Sequence, residues 1–144
     1  MRHLLVLDPA LRARLEAGSR QPLVWWAADR RPPYGVVQPG DLVYLRAPGR
    51  PLSGLATVGR VLFLRNLSPA FLRRLWPVLA PLTGAGPAPG PAELGAHYAS
   101  VIWFATLDAI RPPLEPAEAL ALGLPPLPGG RGAWRLWEDG TAAP

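Results

Sequence analysis

Pro32-Pro33-Tyr34-Gly35-Val36-Val37-Gln38-Pro39-Gly40-Asp41-Leu42-Val43-Tyr44-Leu45, then an arginine-rich turn, then Ser53-Gly54-Leu55-Ala56-Thr57-Val58-Gly59-Arg60-Val61-Leu62-Phe63-Leu64, carries the strongest structural signals in the chain. Pro39-Gly40-Asp41 is a turn signal, because proline presets the first turn dihedral and glycine supplies the unusual one. A strand is expected directly after it, with Leu42, Tyr44 and Arg46 on one side and Val43 and Leu45 on the other. Pro48, Gly49 and Pro51 break that pattern before a second β-rich run starts at Ser53. Together they spell a β-hairpin with a wide, basic tip.

Upstream, His3 to Leu7 reads as a short buried strand. Asp8-Pro9 then supplies a helix N-cap followed by proline at the first helical position. Leu11 and Leu15 share one face of that helix, Arg12 and Glu16 pair on the other, and Gly18 ends it. Leu23-Val24-Trp25-Trp26 forms a strand in which the two tryptophans face opposite sides, so one belongs to the core and the other to the surface or a pocket.

Downstream, Ser53 to Arg65 is long enough to bend around a small barrel, with Gly54 and Gly59 as bulge or close-approach points. Ser68-Pro69 caps a helix carrying Phe71, Leu72, Leu75 and Trp76, which Pro77 should end or kink. Residues 81–92 are dominated by proline and glycine and read as a surface loop. His97 to Ile110 is the strongest strand, with Trp103 expected in the core and Pro112-Pro113 as its stop. A short helix over Pro116 to Leu122, closed by Gly123, precedes a last strand, Ala133 to Trp137. About six strands with two or three short helices predict an α+β, mainly β fold: a small, partly open barrel with helices at its ends.

The 144 residues and 49% hydrophobic content suit one domain spanning 1–144. Absence of cysteine removes disulfides, thiolate metal sites and a cysteine nucleophile together, and His3 and His97 are too isolated to suggest a zinc site. No cofactor is expected. Leu4 to Leu7 is too short for a signal peptide, and no apolar run reaches membrane-spanning length, so a soluble, cytoplasmic protein without a membrane partner is expected. The 15 basic residues are all arginine, a choice that the abundant Pro, Gly, Ala and Leu tie partly to GC-rich coding. The net charge of +5 still favours a polyanionic partner, and arginine recognises phosphate and bases in ways lysine does not.

The order of signals resembles the PUA-like superfamily of small β-barrels, and within it the ASCH and EVE type domains. The matching segments are Pro32-Pro33-Tyr34-Gly35, Gly40-Asp41 and Gly54-Leu55-Ala56-Thr57-Val58. The resemblance implies a ligand cleft beside the first helix, with Gly18 and Arg20 at its mouth, and RNA or single-stranded nucleic acid as partner. It also implies a test of catalysis, because some ASCH-like amidohydrolases acting on acetylated cytidine use a lysine and a threonine near the first helix. Arg20 and Leu23 stand at those places here. Arginine stays protonated and leucine offers no nucleophile, which argues against that hydrolysis.

The densest candidate site is Trp25, Trp26, Arg30, Arg31 and Tyr34 with Arg20 upstream, to which Arg46 on the hairpin could add. Guanidinium groups beside aromatic rings suit unpaired nucleic acid, since the cations hold phosphates while the rings stack on bases. Packed aromatics and a solvated Arg30-Arg31 turn are the competing reading. Asp41 is expected to bond nearby backbone N–H groups. A hydrolase of the same fold and a protein-interaction domain using exposed tryptophans are the alternative functions.

Overall fold

Gly40 adopts a left-handed φ of 89°, and its N–H donates to the Val58 carbonyl at 2.7 Å while Val58 N–H donates to Asp41 at 2.9 Å. The turn thereby fixes the register of the hairpin that follows, β3 (Leu42–Arg46) against β4 (Leu52–Leu64). These features come from a computed structural model that describes residues 1–7, 12–13, 22–83, 86–127 and 133–137. The predicted first helix, apart from residues 12–13, and Arg20 lie outside the described residues.

Around the hairpin, β1 (Arg2–Val6) runs parallel to β3, and β6 (Trp134–Leu136) lies antiparallel on the other side of β1. On the other flank β5 (Tyr98–Leu114) pairs antiparallel with β4, and β2 (Leu23–Ala27) pairs with its first five residues. The six-stranded order is β2-β5-β4-β3-β1-β6, so β2 and β6 are the two ends. The sheet curls into a half-barrel, and the Trp25 and Trp134 rings from the end strands meet edge to face at 5.7 Å. Bulges at Thr57/Val58 and Val58/Arg60 bend the two long strands. Gly59 allows the close approach there, because a Cβ would sit 3.1 Å from the Ala105 Cβ and force the strands apart by a few tenths of an ångström.

Strand alternation divides the apolar residues between two faces. Leu5, Val43, Leu45, Ala56, Val58 and Ile102 fill the inner face, with Trp25, Phe63 and Phe104 packed against them. Outside, α1 (Pro69–Thr83) lays Leu72, Trp76 and Leu79 on Ala99, Val24, Trp26 and Leu64. At the other end, α3 (Pro116–Ala121) brings Ala119 against Leu4, Leu52 and Trp137, while α2 (Pro91–Leu94) is one turn long. No helix of the described residues is long and apolar enough to cross a membrane.

Three local expectations give way to packing. Helix α1 continues through Pro77 and Pro81, because its buried stripe spans both sides of Pro77 and that burial exceeds the roughly 3 kcal/mol an internal proline costs. The segment between α1 and α2 is thus shorter than the predicted 81–92 loop. Strand β5 likewise runs through Pro112-Pro113 to Leu114, where no strand of the described residues pairs with its second edge and a missing N–H breaks no ladder. Trp103 is only half-buried, on the outer face, with the Arg60 guanidinium 4.4 Å from its ring centre. Trp76 is buried and its Nε1–H donates to the Gly86 carbonyl at 3.0 Å. Trp76→Ala should therefore lower the unfolding free energy by about 3–5 kcal/mol in urea titrations.

Candidate nucleic-acid interface

After β2 the chain turns sharply at Asp29-Arg30-Arg31, and the Pro33 carbonyl accepts from both Val36 and Val37 N–H. Gly35, at φ 70°, completes that turn. It folds Tyr34 back across the ends of β4 and β5, where its ring lies 4.9 Å from Tyr98 and 5.2 Å from Phe63. Arg30 closes the group: its Nε–H donates to the Tyr98 hydroxyl at 3.2 Å, and its guanidinium carbon is 5.5 Å from the Tyr98 ring centre. The three rings are half-buried and Arg30 is exposed. A cation beside half-buried aromatic rings can hold a phosphate while a flat apolar group stacks.

The other predicted residues are placed differently. Arg31 clamps Asp29 through two hydrogen bonds of 2.6 Å, which hold the Asp29 carboxyl below the usual range. Trp25 points inward against Trp134, and Trp26 points outward beneath α1, 6.3 Å from the Trp76 ring. Both tryptophans are half-buried, so each takes part in packing. Arg46 pairs with Leu52 at the far end of β4 from Phe63, and the structure does not bring it to the aromatic group. Its Nε is buried without a hydrogen-bond partner. Tyr98 and Phe63 are the members that sequence reasoning missed. Their opposite neighbours in the ladders are Ala27 and Ser100, and no local spacing marks their meeting with Tyr34.

A second polar group lies inside the barrel. Trp134 Nε1–H donates to His3 Nδ1 at 3.1 Å, which leaves the ring proton on Nε2 to be donated to Asp41 Oδ2 at 2.8 Å. Asp41 also accepts from Gln38 N–H at 2.9 Å and from the Met1 amino group at 3.0 Å, the backbone role expected of it plus a histidine partner not foreseen. Burial lowers the His3 pKa and outweighs the pull of Asp41. For Asp41, burial opposes ionisation, yet the hydrogen bonds from His3, Gln38 and Met1 hold its pKa below the usual value. His3 is fully buried, so this network serves as a structural tie between β1, β6 and the turn. Among the described residues, no group of three or more His, Cys, Asp or Glu is placed to hold a metal.

The half-barrel with outer helices matches solved structures. The ASCH protein of Zymomonas mobilis superposes with a TM-score of 0.60 at 12% identity, covering 97% of this chain and 89% of that one. Its Ser-to-Ala mutant gives 0.60 over 96% and 89%, and its Tyr-to-Phe mutant 0.61 over 96% and 91%, both at 12% identity. No family model matches the chain, and a search of curated proteins gives no match. The fold is accordingly like that of the ASCH protein.

The His3 tie sets a pH dependence. Its native pKa lies below the ordinary 6.5, so its contribution is complete above that value and is lost progressively as pH falls from there towards the native value. The Asp41 contribution, present above 3.8, disappears only as pH drops through its lowered native pKa. Urea unfolding at a series of pH values should show stability falling below pH 6.5. Trp134→Phe should cost about 1–2 kcal/mol at neutral pH and shrink that fall, because Nδ1 is then free to take the proton.

Proposed function

We propose that this chain binds single-stranded RNA, or an unpaired base within it, at the Arg30, Tyr34 and Tyr98 group. The observation that carries the reading is the exposed Arg30 guanidinium held on Tyr98 beside a second tyrosine ring. An arginine-only cation set and a net charge of +5 support it, as does the PUA-like fold, which the resemblance associates with RNA. In this account Arg30 holds a phosphate, Tyr34 and Tyr98 stack a base, and Phe63 and Trp25 back the platform from the inner core. Arg31 adds a second phosphate contact if it exchanges Asp29 for the ligand, and Arg20 stands at the mouth by resemblance. Arg46 has no part at this end of the sheet, and Trp26 acts through packing under α1.

Stacking contributes about 1–3 kcal/mol per base, and phosphate contacts make affinity fall steeply with salt. Anisotropy of a labelled single-stranded hexaribonucleotide should therefore show binding that weakens from low to moderate salt. Tyr34→Ala and Arg30→Ala should each weaken it about tenfold at fixed salt, with thermal melts confirming that both variants fold. Binding indifferent to salt and to both substitutions would overturn the reading.

A further inference from the structure

We infer that Arg65 is a second phosphate-binding residue of the Arg30, Tyr34 and Tyr98 group, and that the group therefore takes an internal nucleotide, with a phosphate on each side of its base. The inference rests on the RNA reading above and names the ligand more closely.

The ladder register brings Arg65 to the site. Leu64 lies opposite Ala99 in the last rung between β4 and β5, and the next tie is the Leu67 N–H, which donates to the His97 carbonyl at 3.0 Å. Arg65 and Asn66 span the interval, so Arg65 stands beside Tyr98. Phe63, two residues earlier, lies opposite Ser100, and by the alternation of an extended chain Arg65 shares its face. Phe63 and Tyr98 are the two rings against which Tyr34 packs. On the other side of Tyr98 its neighbour is Ala27 of β2, three residues before Arg30. Strands β2 and β4 flank β5, so their backbones are roughly 10 Å apart, two strand spacings. The two guanidinium groups thus approach the rings from opposite sides.

The backbone at Arg65 is fixed on both flanks. Leu67 is buried, and His97 Nδ1–H donates back to the Leu67 carbonyl at 3.2 Å, which doubles the tie. Asn66 takes a φ of 57°, a left-handed conformation that asparagine adopts more readily than most residues, and turns the chain toward the Ser68 cap of α1. The Arg65 side chain, by contrast, is exposed and has no ion-pair partner among the described residues. Arg31 differs, because its guanidinium is spent on Asp29. Arg30 and Arg65 therefore offer two cations for charge-assisted bonds to phosphate. A free nucleoside uses neither, a mononucleotide uses one, and a nucleotide within a strand uses both.

The test is an amide-shift titration of the full chain, at fixed ionic strength, with adenosine, adenosine monophosphate, and an adenosine bisphosphate carrying one phosphate at each chain-linking hydroxyl. All three should shift Phe63 and Tyr98, with the bisphosphate binding about tenfold more tightly than the monophosphate. Arg65→Gln should bring the bisphosphate to within about twofold of the monophosphate and leave adenosine binding unchanged. Arg50→Gln removes the same charge at the other end of β4, in the hairpin tip, and should leave the bisphosphate preference intact. A native chain with no such preference, a preference retained by Arg65→Gln, or one lost equally in Arg50→Gln would each overturn the inference, while ring shifts with adenosine would still uphold the site. No shift at either ring with any of the three would overturn the site and the inference together.

Discussion

Among the described residues the two end strands of the sheet, β2 and β6, are not paired with each other, and the ring contact between Trp25 and Trp134 joins them across that gap. Trp134 is held in turn by His3, and His3 by Asp41, the residue that also ends the turn before β3. A strand of only three residues, β6, could not hold its place on β1 by ladder bonds alone. The buried Trp134 side chain and its polar tie stabilise it there. One chain of contacts therefore joins the last strand, the first strand, the hairpin and the open edge.

This seam also explains what lies outside it. With the inner face filled by aliphatic side chains and Trp25, the end of the barrel is finished by Tyr34, Tyr98 and Phe63. Tyr34 packs on the other two rings, and all three remain half-buried. Arg30 is held over them by one hydrogen bond, while the neighbouring Arg31 is neutralised by Asp29. Of two adjacent arginines, the chain thus keeps one as an available cation.

Much of the fold was legible in the sequence because it is encoded locally. Pro39-Gly40-Asp41 announced the hairpin, the alternation through Leu45 assigned its faces, and Ser68-Pro69 marked the start of α1, where the Ser68 hydroxyl accepts from Phe71 N–H. The errors came where a local breaker was tolerated: burial carries α1 through Pro81 into the predicted loop, and an edge that no described strand pairs with admits Pro112-Pro113 in β5. The site was less legible for a related reason. Arg30 and Tyr34 were visible as an arginine-aromatic cluster, but Tyr98 joins them across a long sequence separation, and Trp25 and Trp26 were claimed by the two sides of the sheet. Arg46 looked close along the hairpin and lies at its other end.

In the proposed complex the aromatic group, and not the positive charge alone, recognises the partner. The most direct measurement compares a single-stranded hexaribonucleotide with an abasic backbone of the same length and charge, at the same salt concentration. The account predicts that the base-bearing strand binds at least about tenfold more tightly, consistent with one stacked base. Equal affinity for the two would show that charge alone attracts the strand and would contradict the account.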